Sequence, residues 1–213
     1  MWTQAEARED RLVIERIREN GLLISSVWDL VHAREAYPEA IPVLIDMLPK
    51  VRELAIKEGI IRALSVKEAA PAAAKPLIEE FEGLLGDKNA RGGTDILWVI
   101  ANALTVVATH ESAEDILRLI TLPASGDARQ MLAITLGKLK DRDAVPILIE
   151  LLKDDKIVGH AASALGMIKA PEARPYLLSV KNHPRTWVRK AAEKAILKID
   201  GKPITKKAKL KIN

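Results

Sequence analysis

Residues 144–169 read AVPILIELLKDDKIVGHAASALGMIK, and residues 173–199 read ARPYLLSVKNHPRTWVRKAAEKAILKI. Laid one above the other, they align: Val158, Ala162 and Leu165 recur as Val188, Ala192 and Ala195. Steps of four and then three residues put each trio on one face of a helix. Weaker copies begin upstream, with AIPVLIDML at Ala40, AKPLIEEFE at Ala74 and AEDILRLIT at Ala113. Self-similarity at this period predicts an all-α chain, an α-α superhelix of about six helix pairs, each burying its apolar side against the next.

Each copy reads as two helices. Paired prolines open the first in three places: Pro38 and Pro42, Pro71 and Pro76, Pro171 and Pro175. The earlier proline suits a first helical position, and the later one should bend the opening turn. In the copy at Ala144, where Pro146 stands alone, Asp141 or Asp143 is the expected cap. The second helices share a small residue after the pairs Ala63-Leu64, Ala103-Leu104, Thr135-Leu136 and Ala164-Leu165, namely Ser65, Thr105, Gly137 and Gly166. Glycine inside a helix is unfavourable by about 1 kcal/mol against alanine, so its presence predicts a neighbouring helix at close approach.

The stretch VGHAASALG at Val158, with AVPILIELL upstream at Ala144, resembles HEAT-type repeats. The likeness is to the short variety, about 30 residues long, of phycobilin lyases and many bacterial proteins. Leu104, Leu136 and Leu165 are separated by 32 and 29 residues, which fits that variety. The resemblance implies a HEAT-like α-solenoid over residues 1–200, with a divergent N-terminal cap at about 1–36. Two segments break the rhythm: a longer loop at 83–93 and a tail at 201–213, expected to be flexible.

Composition narrows the function classes. Aromatics are only 3% of the chain, so the core must be built from Leu, Ile, Val and Ala. Cysteine is absent, which removes disulfide and thiolate chemistry and suits a cytoplasmic chain. Residues 1–10 are too polar for a secretory core and no apolar run spans a bilayer, so no membrane association is expected. The net charge of +4 has a location: residues 201–213 contain Lys202, Lys206, Lys207, Lys209 and Lys211 and no acid, leaving residues 1–200 at −1.

Nothing assembles a reaction. His32, His110, His160 and His183 fall in different repeats, and His110 with Glu114 supplies only two of the ligands zinc needs. There is no nucleophile elbow and no phosphate loop after Gly92-Gly93. The expected cofactor and metal complement is therefore none, and the expected activity non-catalytic.

What remains is surface. Trp98 shares a register with Glu58, Gln130, Gly159 and Arg189, and the next row four residues on holds Arg62, Asn102, Ile134, Ser163 and Glu193. In HEAT-like stacks that row lines the inner, concave side, and Trp28 is expected to face the same way. Glu58, Arg62, Arg189 and Glu193 sum to zero charge, and such a mixed surface suits a protein partner better than a phosphate backbone. The bland reading of Trp28 and Trp98 is inter-helix filling, and Trp187 reads as packing. The candidate partner-binding set is thus Trp28, Glu58, Arg62, Trp98, Asn102, Gln130, Arg189 and Glu193, on a chain expected to be monomeric. Two alternatives stand beside it. Nucleic-acid binding would run through the basic tail, or through a concave face like that of HEAT-like DNA glycosylases. A phycobilin-lyase-like helper or chaperone is the other.

Overall fold

A computed structural model describes residues 2–87 and 95–203. Every regular element in them is helical, and none is long and apolar enough to cross a membrane. The chain divides into two compact units, Met1–Ser112 and Ala113–Asn213.

The first unit holds α1 (Gln4–Glu19), α2 (Val27–Val31), α3 (Ile41–Met47), α4 (Leu54–Ala63), α5 (Ala74–Leu84) and α6 (Ile96–Val107). Helix α1 opens on a capping box, in which the Thr3 hydroxyl takes the Glu6 N–H at 3.1 Å and the Glu6 carboxylate takes the Thr3 N–H at 2.7 Å. Two successive acids on α1 then cap two other elements. Glu9 accepts from the Arg52 and Glu53 amides at 3.0 and 2.9 Å, just before α4, which has no side-chain cap of its own. Asp10, 3% exposed, accepts from the Val27 amide at 3.0 Å where α2 begins. At the far end of α4 the buried Tyr37 hydroxyl donates to the Ala63 carbonyl at 2.9 Å. The short helix α2 is thereby fixed against α4 although five residues could not hold a helix alone.

The core of this unit contains one cation. Lys57 on α4 is 4% exposed; its ammonium donates to the Leu48 carbonyl and pairs with Glu80 on α5.

The second unit repeats the pairing with α7 (Ala113–Thr121), α8 (Arg129–Leu139), α9 (Val145–Glu150), α10 (Val158–Ile168), α11 (Arg174–Val180) and α12 (Thr186–Ile199). Here α8, α10 and α12 pack in succession. Val158, Ala162, Leu165, Val188, Ala192 and Ala195 are all buried, as their spacing predicts. The small-residue rule holds for both glycines. A Cβ on Gly137 would stand 2.7 Å from the Ala164 Cα, and one on Gly166 would stand 2.6 Å from the Ala195 Cα.

Two expectations about helix starts need correction. Pro38 and Pro171 open 3-10 turns, Pro38–Ala40 and Pro171–Ala173, and Pro42 and Pro175 stand second in the α-helices that follow. The pair thus divides each opening into a 3-10 turn and a short α-helix. Pro71 opens nothing: a 3-10 turn at Lys67–Ala69 precedes it, and the Ala70–Pro71 peptide is cis. Asp141 caps a turn and not α9, accepting from the Asp143 amide at 2.8 Å, while Ala144 at the helix start offers no side-chain acceptor.

Gly137→Ala and Gly166→Ala should each destabilise by about 1–3 kcal/mol, because the obstacle is backbone and cannot rotate away. Gly83→Ala, inside α5 with open space around it, should gain about 0.5–1 kcal/mol. Urea unfolding followed by circular dichroism reads all three. By the same assay Lys57→Met should cost about 3–5 kcal/mol by leaving Glu80 unpaired, and Lys57→Met/Glu80→Met should recover most of it. Burial raises the Asp10 carboxyl above its ordinary 3.8, a push the Val27 amide partly offsets. The folded state then binds that proton more tightly than the unfolded one, so Asp10's contribution falls as pH climbs from 3.8 through the raised value. Asp10→Asn keeps the acceptor and removes the proton. Its stability relative to the parent should therefore improve from about pH 3 to about pH 7 in paired urea titrations.

Candidate functional site

In the first unit the second helices α2, α4 and α6 lie side by side, and they gather most of the predicted residues. Gly59 decides how close α2 comes: a Cβ there would fall 2.7 Å from Val27 Cγ1 and 3.2 Å from Trp28 Nε1. Trp28 therefore lies against Gly59 of α4, half-buried. The Arg62 Nε donates to Glu58 Oε1 at 2.7 Å, one turn apart on the same helix. Glu58 is the more sheltered of the two, its side chain 15% exposed against 36% for Arg62, so it holds the guanidinium in place with the remaining donors open.

Arg62 and Asn102 then face a common cleft of about 200 Å³, lined with Val31, Ser65 and Val99. Trp98 stands one turn before Asn102 on α6, half-buried, on a helix whose first amides are capped by Asp95 at 3.1 and 3.4 Å. Arg62 also borders a wider cleft of about 440 Å³, with Arg34, Glu35, Tyr37 and Glu68 on its walls. The Tyr37 phenol there has its pKa raised by burial and by Glu68, so it stays protonated and keeps its bond to Ala63.

The second unit treats its share differently. Gln130 Nε2 donates to the Lys156 carbonyl at 3.2 Å, tying α8 to the turn before α10. Arg189 is engaged by its own loop, donating to the His183 and Pro184 carbonyls at 2.8 Å each and to Thr186 Oγ1 at 2.9 Å. Glu193 is exposed on α12. Gln130 and Arg189 thus fasten turns, as the row register alone does not reveal. Of the tail lysines Lys202 is described and exposed, with Asp200 at 4.0 Å. Lys206, Lys207, Lys209 and Lys211 lie outside the described residues, as do residues 88–93 of the segment expected as a loop at 83–93, whose first two residues, Gly83 and Leu84, instead end α5.

Trp187 packs as its position predicts, and part of it stays open to solvent. It packs on Gly159, where any Cβ would collide with the indole, yet 45% of it is exposed. Its ring meets His160 edge-on, centroids 5.3 Å apart, and the Arg185 guanidinium stands 5.7 Å from its centre. Burial, and secondarily Arg185, lower the His160 pKa, which keeps that imidazole neutral beside the cation. The signal was present in the register: a glycine at 159 faces a tryptophan one repeat later, and a large ring laid over a bare backbone cannot be fully covered. Among the described residues no three His, Asp or Glu side chains converge as metal ligands.

Comparison with known proteins bears on the fold. Residues 113–197 match the family of HEAT repeats. An engineered protein solved by a structural genomics consortium is 17% identical at a TM-score of 0.53, over 89% of this chain and 96% of that one. A second engineered protein from the same source is 17% identical at 0.54, over 89% and 98%. A designed armadillo repeat protein is 14% identical at 0.51, over 88% and 99%. A search of curated proteins finds no match to the chain. At such identities the likeness speaks for architecture, and function has to be argued from the surfaces. The helix pairs among the described residues, the buried trios and the matched segment agree: the chain is all-α and of the α-solenoid class, with HEAT repeats over residues 113–197.

Proposed function

We propose that the chain is a non-catalytic protein-interaction module, and that its partner seats on the α2–α4–α6 face of the first unit. Repeat solenoids of this class commonly serve as interaction scaffolds. The observation that carries the reading is the cleft shared by Arg62 and Asn102, with Trp28 and Trp98 standing half-buried on the flanking helices. An arginine held by Glu58 has already lost part of its conformational freedom, so a partner carboxylate or carbonyl can bind it at low entropic cost. Half-buried indoles add apolar area beside it, and Trp with Arg is the composition of interface hot spots. Gln130, Arg189 and Glu193 belong to the second unit, where Gln130 and Arg189 fix turns, and they form no part of the proposed seat.

The test is affinity capture from the source cell followed by mass spectrometry, comparing the parent chain with Arg62→Glu/Asn102→Ala and with Tyr176→Ala. Tyr176 is half exposed on α11, in the other unit. All three proteins should first show equal helicity and melting temperature. A partner retained by the parent and by Tyr176→Ala should weaken about tenfold or more with the cleft variant, the usual loss at a hot spot. Equal capture by all three would refute the assignment to this face.

A further inference from the structure

The near-neutral body conceals a division of charge. The unit Met1–Ser112 carries 13 Lys and Arg against 18 Asp and Glu, a net −5, whereas Ala113–Asn213 carries 20 against 11, a net +9. Within the second unit residues 113–180 balance at 9 against 9, so the whole +9 belongs to residues 181–213. Positive charge therefore begins before the tail, in α12 and the turn that leads into it.

The helix arranges that charge. Val188, Ala192, Ala195 and Ile196 turn inward and are buried. On the opposite side Trp187, Lys190, Lys194 and Lys198 follow one another at steps of three, four and four residues, a single stripe at helical spacing. Lys190 and Lys194 are exposed and Lys198 is half-buried, and none of the three forms an ion pair among the described residues. Only two acids lie in residues 181–213, and one of them is withdrawn from the stripe. Asp200 takes two hydrogen bonds from Arg174 of α11, at 2.8 and 3.1 Å. At the head of the stripe stands the half-exposed Trp187 with Arg185 beside it.

We propose that this stripe binds single-stranded nucleic acid, the phosphates meeting Lys190, Lys194 and Lys198 and a base stacking on Trp187. Cations repeated every four residues lie about 6 Å apart along a helix and suit a polymer with charge at regular intervals. An indole 45% exposed, with a guanidinium beside it, supplies the stacking platform that strand binding without sequence preference requires. A stem of unpaired lysines also carries no cost of breaking existing ion pairs. The proposal is independent of the cleft in the first unit, and neither site's failure affects the other.

The experiment is fluorescence anisotropy of labelled oligo(dT) with the full chain, across a salt titration, for the parent, Lys190→Glu/Lys194→Glu, Trp187→Leu and Trp187→Phe. Melting temperatures establish that each variant is folded, and Trp187→Phe keeps an aromatic ring over Gly159. The lysine variant should bind at least tenfold more weakly, with the slope of log K against log salt flattened by about 0.7 for each lysine reversed. Trp187→Leu should weaken binding about tenfold, within the range of one lost base stack, and Trp187→Phe should retain most of the affinity. Unchanged affinity and slope in the lysine variant would overturn the proposal. So would equal affinity for a poly-glutamate probe together with indifference to Trp187, which would make the stripe a surface for an acidic protein. Duplex DNA bound as tightly as the single strand, again without dependence on Trp187, would also refute it.

Discussion

The approach of one second helix to the next is the constraint on which the repeat depends. Where Gly137 faces Ala164 and Gly166 faces Ala195, backbone meets backbone with no room for a methyl group on the glycine. A contact of that kind fixes the spacing of α8, α10 and α12 more tightly than interleaved leucines would, because no side chain can rotate to relieve it. The remaining core residues then have prescribed sizes. Alanine at 161, 162, 164 and 192 is fully buried and small for the same reason.

Close packing along one row leaves the turns to set the register, and polar contacts do this work. Arg129 reaches Asp154 at 2.7 Å, Lys156 reaches Asp127 at 3.5 Å, and His183 and Arg185 both meet Asp155 in the next turn. On the other side Arg142 meets Glu172 and Arg174 meets Asp200. Most of these groups are exposed, so each pair contributes little stability, about 0–1 kcal/mol. Their value lies in direction: Arg174–Asp200 closes the last helix pair, and each of the others joins one repeat to the next. The first unit solves the same problem differently, with Glu9 and Asp10 of α1 capping segments far along the chain and Lys57 buried against Glu80. Those acids make α1 the organiser of its unit, and a helix that caps its neighbours cannot slide past them.

The architecture was legible because periodicity reports burial. The trios at 158, 162, 165 and at 188, 192, 195 sit in the core as read, and Gly137 and Gly166 mark close approach as read. Contacts made by polar side chains across many residues were not legible. Nothing in local spacing ties Glu9 to residue 53, Tyr37 to Ala63 or Gln130 to Lys156. The candidate row shows the same limit. Glu58, Arg62 and Asn102 lie together on the α4–α6 side, whereas nothing in the row shows that the loop before α12 uses the Arg189 guanidinium. Trp187 packs as read, but a position common for packing does not fix how much of a large ring the neighbour covers.

Charge shows why a repeat fold can separate these demands. Packing in each pair consumes one side of the second helix, and the turns consume a few polar groups at its ends. The outward side is left without structural duty, so its composition can drift toward a ligand without disturbing the stack. In α12 that side holds lysines with no ion pair among the described residues, whereas α4 carries Arg62 already paired with Glu58. Both helices are cationic, +1 for α4 and +3 for α12, but they stand in units whose totals are −5 and +9. A uniform scaffold for a single extended partner would have no need of that contrast. The two proposed sites accordingly lie in units of opposite net charge, each with its own aromatic and cationic side chains.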